Sequence, residues 1–345
     1  MDALQPGRGP IRSATYLPAD PSAVLWGRLP CETDAPVLTI DAGTEVTIDT
    51  ISHEGILEDQ GRDPLAFFTG FGAEEVLEDA IALAASDYDR GDGGPHVITG
   101  PIHVRGAKPG DLLKITVLEA LPRVPYGVSS NRHGRGALPG EFPRGGETVS
   151  IYAGVDGENG TIARVAGGER DVHFPLAPFL GIMGVAVAGD ERPHSVPPGF
   201  HGGNIDINLL TVGSSLYLPV QVAGAGAYVG DPHFAQGDGE VALTAMEASL
   251  RVTLRFDVLT ESPFGELSGP LVETPEYLVP TGLHEDLGEA MRRCVRASID
   301  LLRARFGMDA EHAYAYLSAA TDFDISQVVD RVTGVHARIR VSDFD

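Results

Sequence analysis

Lysine is almost missing from this 345-residue chain: Lys108 and Lys114 stand alone, and every other basic side chain is an arginine. Chemistry that needs a lysine base has two candidates, both beside one turn. Cysteine is as scarce. Cys31 and Cys294 are too few and too far apart to staple a disulfide framework or to form a cysteine zinc motif. Positive charge is short overall. The formal net charge of −24 works against binding phosphate backbones, which draws on clustered cations, so no nucleic-acid partner is expected. A long apolar run is also lacking. The nearest approach, around 176–188, is too short and too rich in glycine to cross a bilayer as a helix. MDALQPGRGPIRSATY at the N-terminus carries no apolar signal-peptide core. The expectation is a soluble, cytoplasmic protein with no membrane partner.

Glycine and proline are plentiful, at 43 and 25 residues, and favour many short strands and tight turns over long helices. Apolar residues make up 43%, enough for a substantial core. The pattern predicts a β-rich α+β fold. Its strands are expected to build a barrel or a jelly-roll-like sandwich, with a smaller α/β part and the late helices packed outside. One unit over 1–345 is expected, with a division into 1–190 and 191–345 as the alternative.

Strands are expected over 13–50, where Val46 and Ile48 share a face opposite Glu45, Thr47 and Asp49. This puts Asp49 at a strand end facing a cleft. TISHEGILEDQGRDP reads as a polar loop carrying Ser52, His53, Glu54, Glu58 and Asp59. A short amphipathic helix follows at 74–86, and two strands flank a type II turn at Pro109-Gly110. His96 and His103, on either side of the first of these strands, are read as serving local structure. Residues 123–148 form a long loop, either a lid, a substrate wall or a dimer contact. Strands resume over 149–188 and end in the small-residue run GIMGVAVAG, suited to close backbone packing. ASLRVTLRFDVL alternates as a half-buried strand. Over 284–306, Leu287, Met291, Cys294, Ser298, Leu301 and Leu302 make one helical stripe that Gly307 stops. Two further helices are expected, one near 309–319 and one opened by Asp324 with Gln327 in a capping box. VHARIRV closes the chain as a strand.

The densest gathering of polar chemistry runs from Phe200 to Glu247. His201, Asn204, Asp206, Asp231, His233, Asp238 and Glu240 sit around glycine-rich turns, on either side of the apolar run LYLPVQV. Glycine allows tight bends and close approach, and β-rich neighbours give such side chains a rigid support. A reaction centre is expected here. Plainer readings stand beside it. His201 and His233 would serve equally as core histidines, Asp206 and Asp231 as turn carboxylates, and Glu240 as the partner of an arginine; for Asp238 the turn role is preferred.

HGGNID, then SSLYLPVQVAGAGAYVGDPHFAQGDGEV, then TAME, resembles the hallmark region of the acetamidase/formamidase family. GPIHVRGAKPGDLLKI and PLAPFLGIMGVAVA fall in the matching order before it. The resemblance implies an amidohydrolase of small aliphatic amides such as formamide or acetamide, with a metal among relatives of this kind. Opening of a cyclic amide and a non-catalytic small-molecule or metal-binding role are the alternatives. His201, Asn204 and Asp206 match HGGNxD, while Asp231, His233 and Glu240 match the GDxH…GDGE element. Phe234-Ala235 stands where relatives carry a small pair, and TISHEG departs from the familiar sequence after the N-terminal acid.

Amide hydrolysis needs an activated water, a polarised carbonyl and a proton for the departing amine. A Ser-Ser-Lys route fails for want of a suitable lysine, and Gly213-Ser214-Ser215 lacks the wider signature. A Glu-Lys-Cys route fails because Cys294 falls on a buried helical stripe. G-x-S-x-G is absent. What remains is a metal-activated water. Asp49, His201, Asp206 and His233 are expected as metal ligands and Glu240 and Asp231 as catalytic residues. Asn204 and His53 are expected to bind the substrate, Asn204 by orienting its carbonyl. The metal is expected to be zinc, with calcium as an alternative structural ion, and the protein a homodimer.

Overall fold

Alternation of apolar and polar residues makes the strand Leu250–Leu259 the spine of one sheet. Leu250, Val252, Leu254 and Phe256 are buried as the pattern requires. Arg251 and Thr253 are buried as well, so this strand is covered on both faces near its start. The computed structural model describes residues 2–156 and 160–344. In it, Leu250–Leu259 runs antiparallel between Thr44–Asp49 and Leu112–Pro122. The nine-stranded sheet continues from Leu112–Pro122 through Ser215–Pro219, Leu271–Glu273, Tyr277–His284 and Thr333–Arg340 to Asp322–Gln327.

The second sheet has eleven strands and is centred on Ala227–Ala235. That strand pairs with Phe179–Gly184, Met246–Glu247 and Val97–Arg105, all antiparallel. Each sheet follows an open path of strands, so of the expected barrel or sandwich it is the arrangement of two sheets over a common core that forms. Val46, Ile48 and Leu113 from the first sheet join Val128, Phe179 and Val229 from the second in one hydrophobic cluster. Each such side chain, fully buried, contributes about 1.5–3 kcal/mol.

The helix Leu287–Phe306 forms as expected. Asp286 caps it by accepting from the Glu289 N–H at 2.8 Å, and Gly307 ends it at φ 68°. Cys294, Leu301 and Leu302 are buried, but Leu287 and Met291 stay partly exposed, so the inward stripe is narrower than the sequence implies. The helix packs on Tyr277–His284 where Gly282 allows contact: a Cβ there would lie 2.1 Å from the Ala290 carbonyl oxygen. The second late helix is Ala310–Ala320.

The helix expected from Asp324 does not form. Asp322–Gln327 is a strand paired with Thr333–Arg340, because the alternating partner VHARI supplies a ladder that outweighs the capping pattern. Gln327 closes the following turn instead, its Oε1 accepting from the Val329 and Asp330 N–H groups. Two other segments differ. Tyr126–Asn131 is a strand at the start of the expected loop, and Pro64–Gly70 is a helix capped by Asp63. Ser52, His53 and Glu54 are buried rather than solvated.

Candidate active site

Asp231 and His233 project from one face of Ala227–Ala235, two residues apart. Asp231 has φ 50°, a left-handed conformation inside a strand. Facing it across the ladder is Gly181, between the paired residues Leu180 and Ile182. The chain bearing Asp206 docks over the same glycine, with Ile205 and Asp206 N–H groups donating to the Gly181 carbonyl at 3.0 and 3.2 Å. A Cβ at position 181 would lie 2.4 Å from Asp206 Oδ1, 2.6 Å from Asp231 Oδ2 and 2.7 Å from His233 Cε1. The missing side chain is what lets these three groups converge.

Three imidazoles complete the cluster, each held by one ring nitrogen while the other faces inward. His233 Nδ1 meets Gln236 Oε1 at 3.1 Å, which aims Nε2 to within 3.1 Å of both Asp231 Oδ2 and Glu247 Oε1. His96 Nδ1 meets Ser195 Oγ at 3.0 Å, and its Nε2 stands 3.8 Å from Asp231 Oδ1. His53 is turned the other way. Its Nε2 lies 3.3 Å from Glu54 Oε1, and its Nδ1 lies 3.5 Å from Asp231 Oδ1 and 3.9 Å from Glu247 Oε2. Glu54 is fixed in turn by Ser130, Gln60 and Arg132.

The electrostatics are tightly opposed. Burial alone would pull His53 down, but Glu247, Asp231 and Glu54 together push it up to about 10. Burial would raise Glu54, yet His53 and Arg132 hold it at about 2. His96 has the opposite fate, dropping to about 4 because burial outweighs Asp231. Burial, then Glu240 and Asp330, raise Asp206 far above the usual carboxylate range. Glu240 rises for the same reasons, burial first and then Asp330. Burial lifts Asp330 to about 7.

Of the residues expected from sequence, Asp206, Asp231, His233, Glu240, Asn204 and His53 come together. Glu240 reaches the site from a turn bridged to Gln327, at φ 46°, and pairs with no arginine among the described residues. Asn204 lines the same cavity as Asp330, and its buried Oδ1 has no hydrogen-bond partner among the described residues. Asp49 does not join them. Arg251 Nε and Nη2 grip its carboxylate at 2.6 and 2.9 Å, and the Tyr16 hydroxyl donates to it at 2.6 Å. The cleft-facing position expected for Asp49 is thus filled by a buried ion pair that ties the N-terminal leader to the sheet: Arg251 also donates to the carbonyls of Gln5 and Pro10. His201 also stands apart. It packs on Gly199 and Gly203, burial alone lowers it to about 4, and no carboxylate faces it among the described residues. Asp238 is exposed and bonds Asn208, in keeping with a turn role.

His96, Glu247, Asp330 and Glu54 were not assigned to the site from sequence. Glu247 lies within the quoted TAME and Glu54 beside His53, so both had a local signal; the lone His96 and Asp330 had none. Among the described residues, ligand atoms of four groups fall close enough to hold a metal ion, three of them here: His53, His96 and Asp231; Asp231, His233 and Glu247; and Asp206, His233 and Glu240; the fourth is Asp238, Asp324 and His336. His53, His96, Asp231, Glu240 and Glu247 line a cavity of about 530 Å³ whose walls include Arg132, His133, Arg135 and Thr148 from the long loop.

Comparison with known proteins agrees with this architecture. Residues 93–190 and 186–341 match the Acetamidase/Formamidase family. A formamidase of Methylophilus methylotrophus is 27% identical over 301 residues, covering 68% of this chain and 73% of that protein. An acetamidase of Mycolicibacterium smegmatis is 29% identical over 298 residues, covering 65% and 73%. Among solved structures, an acetamidase from Bacillus halodurans superposes with a TM-score of 0.76 at 25% identity, covering 95% of this chain and 98% of the other. A gamma lactamase from Delftia acidovorans shares the fold more distantly, with a TM-score of 0.56 at 22% identity over 95% and 93% of the two chains. With the family model matched over most of its length and its fold shared with a solved acetamidase, the chain belongs to the Acetamidase/Formamidase family and is an amidase hydrolase.

Proposed function

We propose that the protein hydrolyses the linear C–N bond of small aliphatic amides, of the formamide and acetamide type, to a carboxylate and ammonia, with a divalent metal ion, zinc, at the buried cluster. One observation carries the metal. His233 Nε2 sits 3.1 Å from two carboxylate oxygens yet makes an aligned hydrogen bond to neither. His53 Nδ1, both Asp206 oxygens, Asp231 Oδ1 and Glu247 Oε2 are likewise buried and without hydrogen-bond partners. Buried polar atoms of this kind are paired or bound to metal, and ring nitrogens fixed from behind by Gln236, Ser195 and Glu54 are what an oriented ligand requires. Asp206, Asp231, His233, Glu247, His53 and His96 would hold the ion. When bound, it supplies Lewis acidity and a water whose pKa falls towards about 7.

The residues of the chain do the rest. Glu240, buried beside Asp330, has its proton affinity raised, first by burial and then by Asp330, which suits it to hold a proton between steps. It takes the proton of the attacking water as the C–O bond forms, then passes it to the nitrogen as the C–N bond breaks. The buried Oδ1 of Asn204 has no hydrogen-bond partner among the described residues, and it accepts an N–H of the substrate amide and orients the nitrogen. This differs from the carbonyl-orienting role expected from sequence.

Ammonia release from formamide and acetamide, before and after chelation and with zinc restored, tests the reading. Chelation should abolish turnover and lower the melting temperature, and zinc should restore both. Glu240→Gln should remain folded and lose turnover. Full activity in protein shown by elemental analysis to be metal-free would end the metal proposal.

A further inference from the structure

The cavity is far larger than its simplest substrates. Scaling from water at about 30 Å³ per non-hydrogen atom, acetamide would fill roughly a quarter of the 530 Å³ available. What lines the remaining space is uneven in charge. Three acids at the mouth each have a cation: Glu58 pairs with Arg90, Asp92 with Arg28, and Asp59 with Arg132 at 2.7 Å. Two arginines there have no such partner. Among the described residues, the guanidinium groups of Arg135 and Arg331 make no ion pair and no hydrogen bond, in a chain with a net charge of −24.

Both arginines flank the segment that carries Glu240. Ala137, two residues after Arg135, donates its N–H to the Val241 carbonyl at 2.8 Å, and Val328, three residues before Arg331, donates to the Gly239 carbonyl at 3.2 Å. Arg331 is held with φ 66°, a conformation a long side chain rarely adopts. Leu57, Val196 and Leu243 add apolar side chains to the lining of the same cavity. The floor, by contrast, bears the acids Asp231, Glu240, Glu247 and Asp330 and, among the described residues, offers no arginine to a second anion.

We propose that the preferred substrate is a small amide that carries a carboxylate at the end remote from the scissile bond, with Arg135 and Arg331 binding that carboxylate at the cavity mouth. The acidic floor and the cationic mouth together set the orientation: the neutral amide enters first and the carboxylate stays outermost. The inference rests on the amidase reading above and adds the substrate class. Guanidinium groups suit it, since they recognise carboxylates bidentately.

The test compares kcat/KM for succinamate and butyramide in the wild type, Arg135→Gln and Arg331→Asn; asparagine tolerates the left-handed backbone at 331. Succinamate should be preferred by the wild type. Because a hydrogen bond to a charged group contributes about 1.5–3 kcal/mol, each substitution should reduce that preference roughly ten- to a hundredfold. Raising ionic strength should reduce it as well. No wild-type preference, or a preference unchanged in both variants, overturns the inference while leaving the amidase reading intact. If no amide is hydrolysed, that reading fails, and calorimetric titration with succinate still decides this one: binding lost in the variants supports the carboxylate site, and no binding to the wild type overturns it.

Discussion

Replacing Gly181 by alanine adds one methyl group at the base of the cluster. Gly181 lies within the strand Phe179–Gly184, and its φ is outside the left-handed region, so alanine brings no backbone strain. The whole effect is steric. The new Cβ would stand 2.4 Å from Asp206 Oδ1, 2.6 Å from Asp231 Oδ2 and 2.7 Å from His233 Cε1. Restoring an ordinary contact of about 3.5 Å requires Asp206 Oδ1 to retreat by about 1 Å, with smaller shifts for the others. All three side chains are buried, so the strain has no open side through which to relax. Overpacking of this size destabilises by about 1–3 kcal/mol, read from the midpoint of urea unfolding. A 1 Å misplacement of reacting groups lowers the rate roughly a hundredfold. We therefore expect a folded Gly181→Ala protein with kcat/KM for amide hydrolysis down about a hundredfold and with zinc lost on dialysis. Wild-type turnover together with full zinc retention would show that Asp206, Asp231 and His233 do not form the working site as described.

Asp49→Asn should destabilise the fold by about 3–5 kcal/mol, because Arg251 would be left buried with its charge uncompensated, while zinc per folded molecule stays constant; loss of zinc at unchanged stability would make Asp49 a ligand after all. Tyr16, partly buried and hydrogen-bonded to Asp49, is pushed up to about 12. Since that exceeds the usual value of about 10, its contribution to stability is whole below pH 10 and disappears as pH rises from 10 to 12. A Tyr16→Phe protein with the same alkaline stability profile as the wild type would refute this. Burial raises the Cys294 thiol, and Cys31 is buried too, so neither should react with a thiol reagent before urea unfolds the chain. Prompt labelling of the native protein would contradict that burial.

Local pattern carried the fold a long way. The strand LRVTLRFDVL, the long helix and its stop at Gly307 all depend on neighbours in sequence and are realised, although Arg251 and Thr253 are buried too and the helix stripe is narrower than expected. The strand Asp322–Gln327 was misread because its pairing with Thr333–Arg340 is a tertiary fact, invisible to a capping pattern four residues long. The same division runs through the site. Asp206, Asp231, His233 and Glu240 belong to one glycine-rich stretch and could be picked out together. His96 lies more than a hundred residues before them and Asp330 almost a hundred after, and only the sheet and the Gln327 turn bring them in. Asp49 looked like a ligand by position, yet its fate was decided by Arg251, two hundred residues away.

The cluster also shows what the fold tolerates for its chemistry. Asp206, Asp231, Glu240, Glu247 and Asp330 are all buried around the same point, where like charges about 4 Å apart repel by about 4 kcal/mol at an effective dielectric of 20. Among the described residues, seven that are not glycine have positive φ. Three of them are Asp206, Asp231 and Glu240, and two more, Leu243 and Arg331, line the same cavity. Such conformations cost of order 1–3 kcal/mol each and persist only where the surroundings enforce them. Asparagine or glycine at these positions would relieve both the repulsion and the strain, so stability alone would not select the acids. A bound cation would reverse the sign of the repulsion, making ligands of Asp206, Asp231 and Glu247, and the left-handed backbone at Asp206, Asp231 and Glu240 would be the device that aims these acids at one centre.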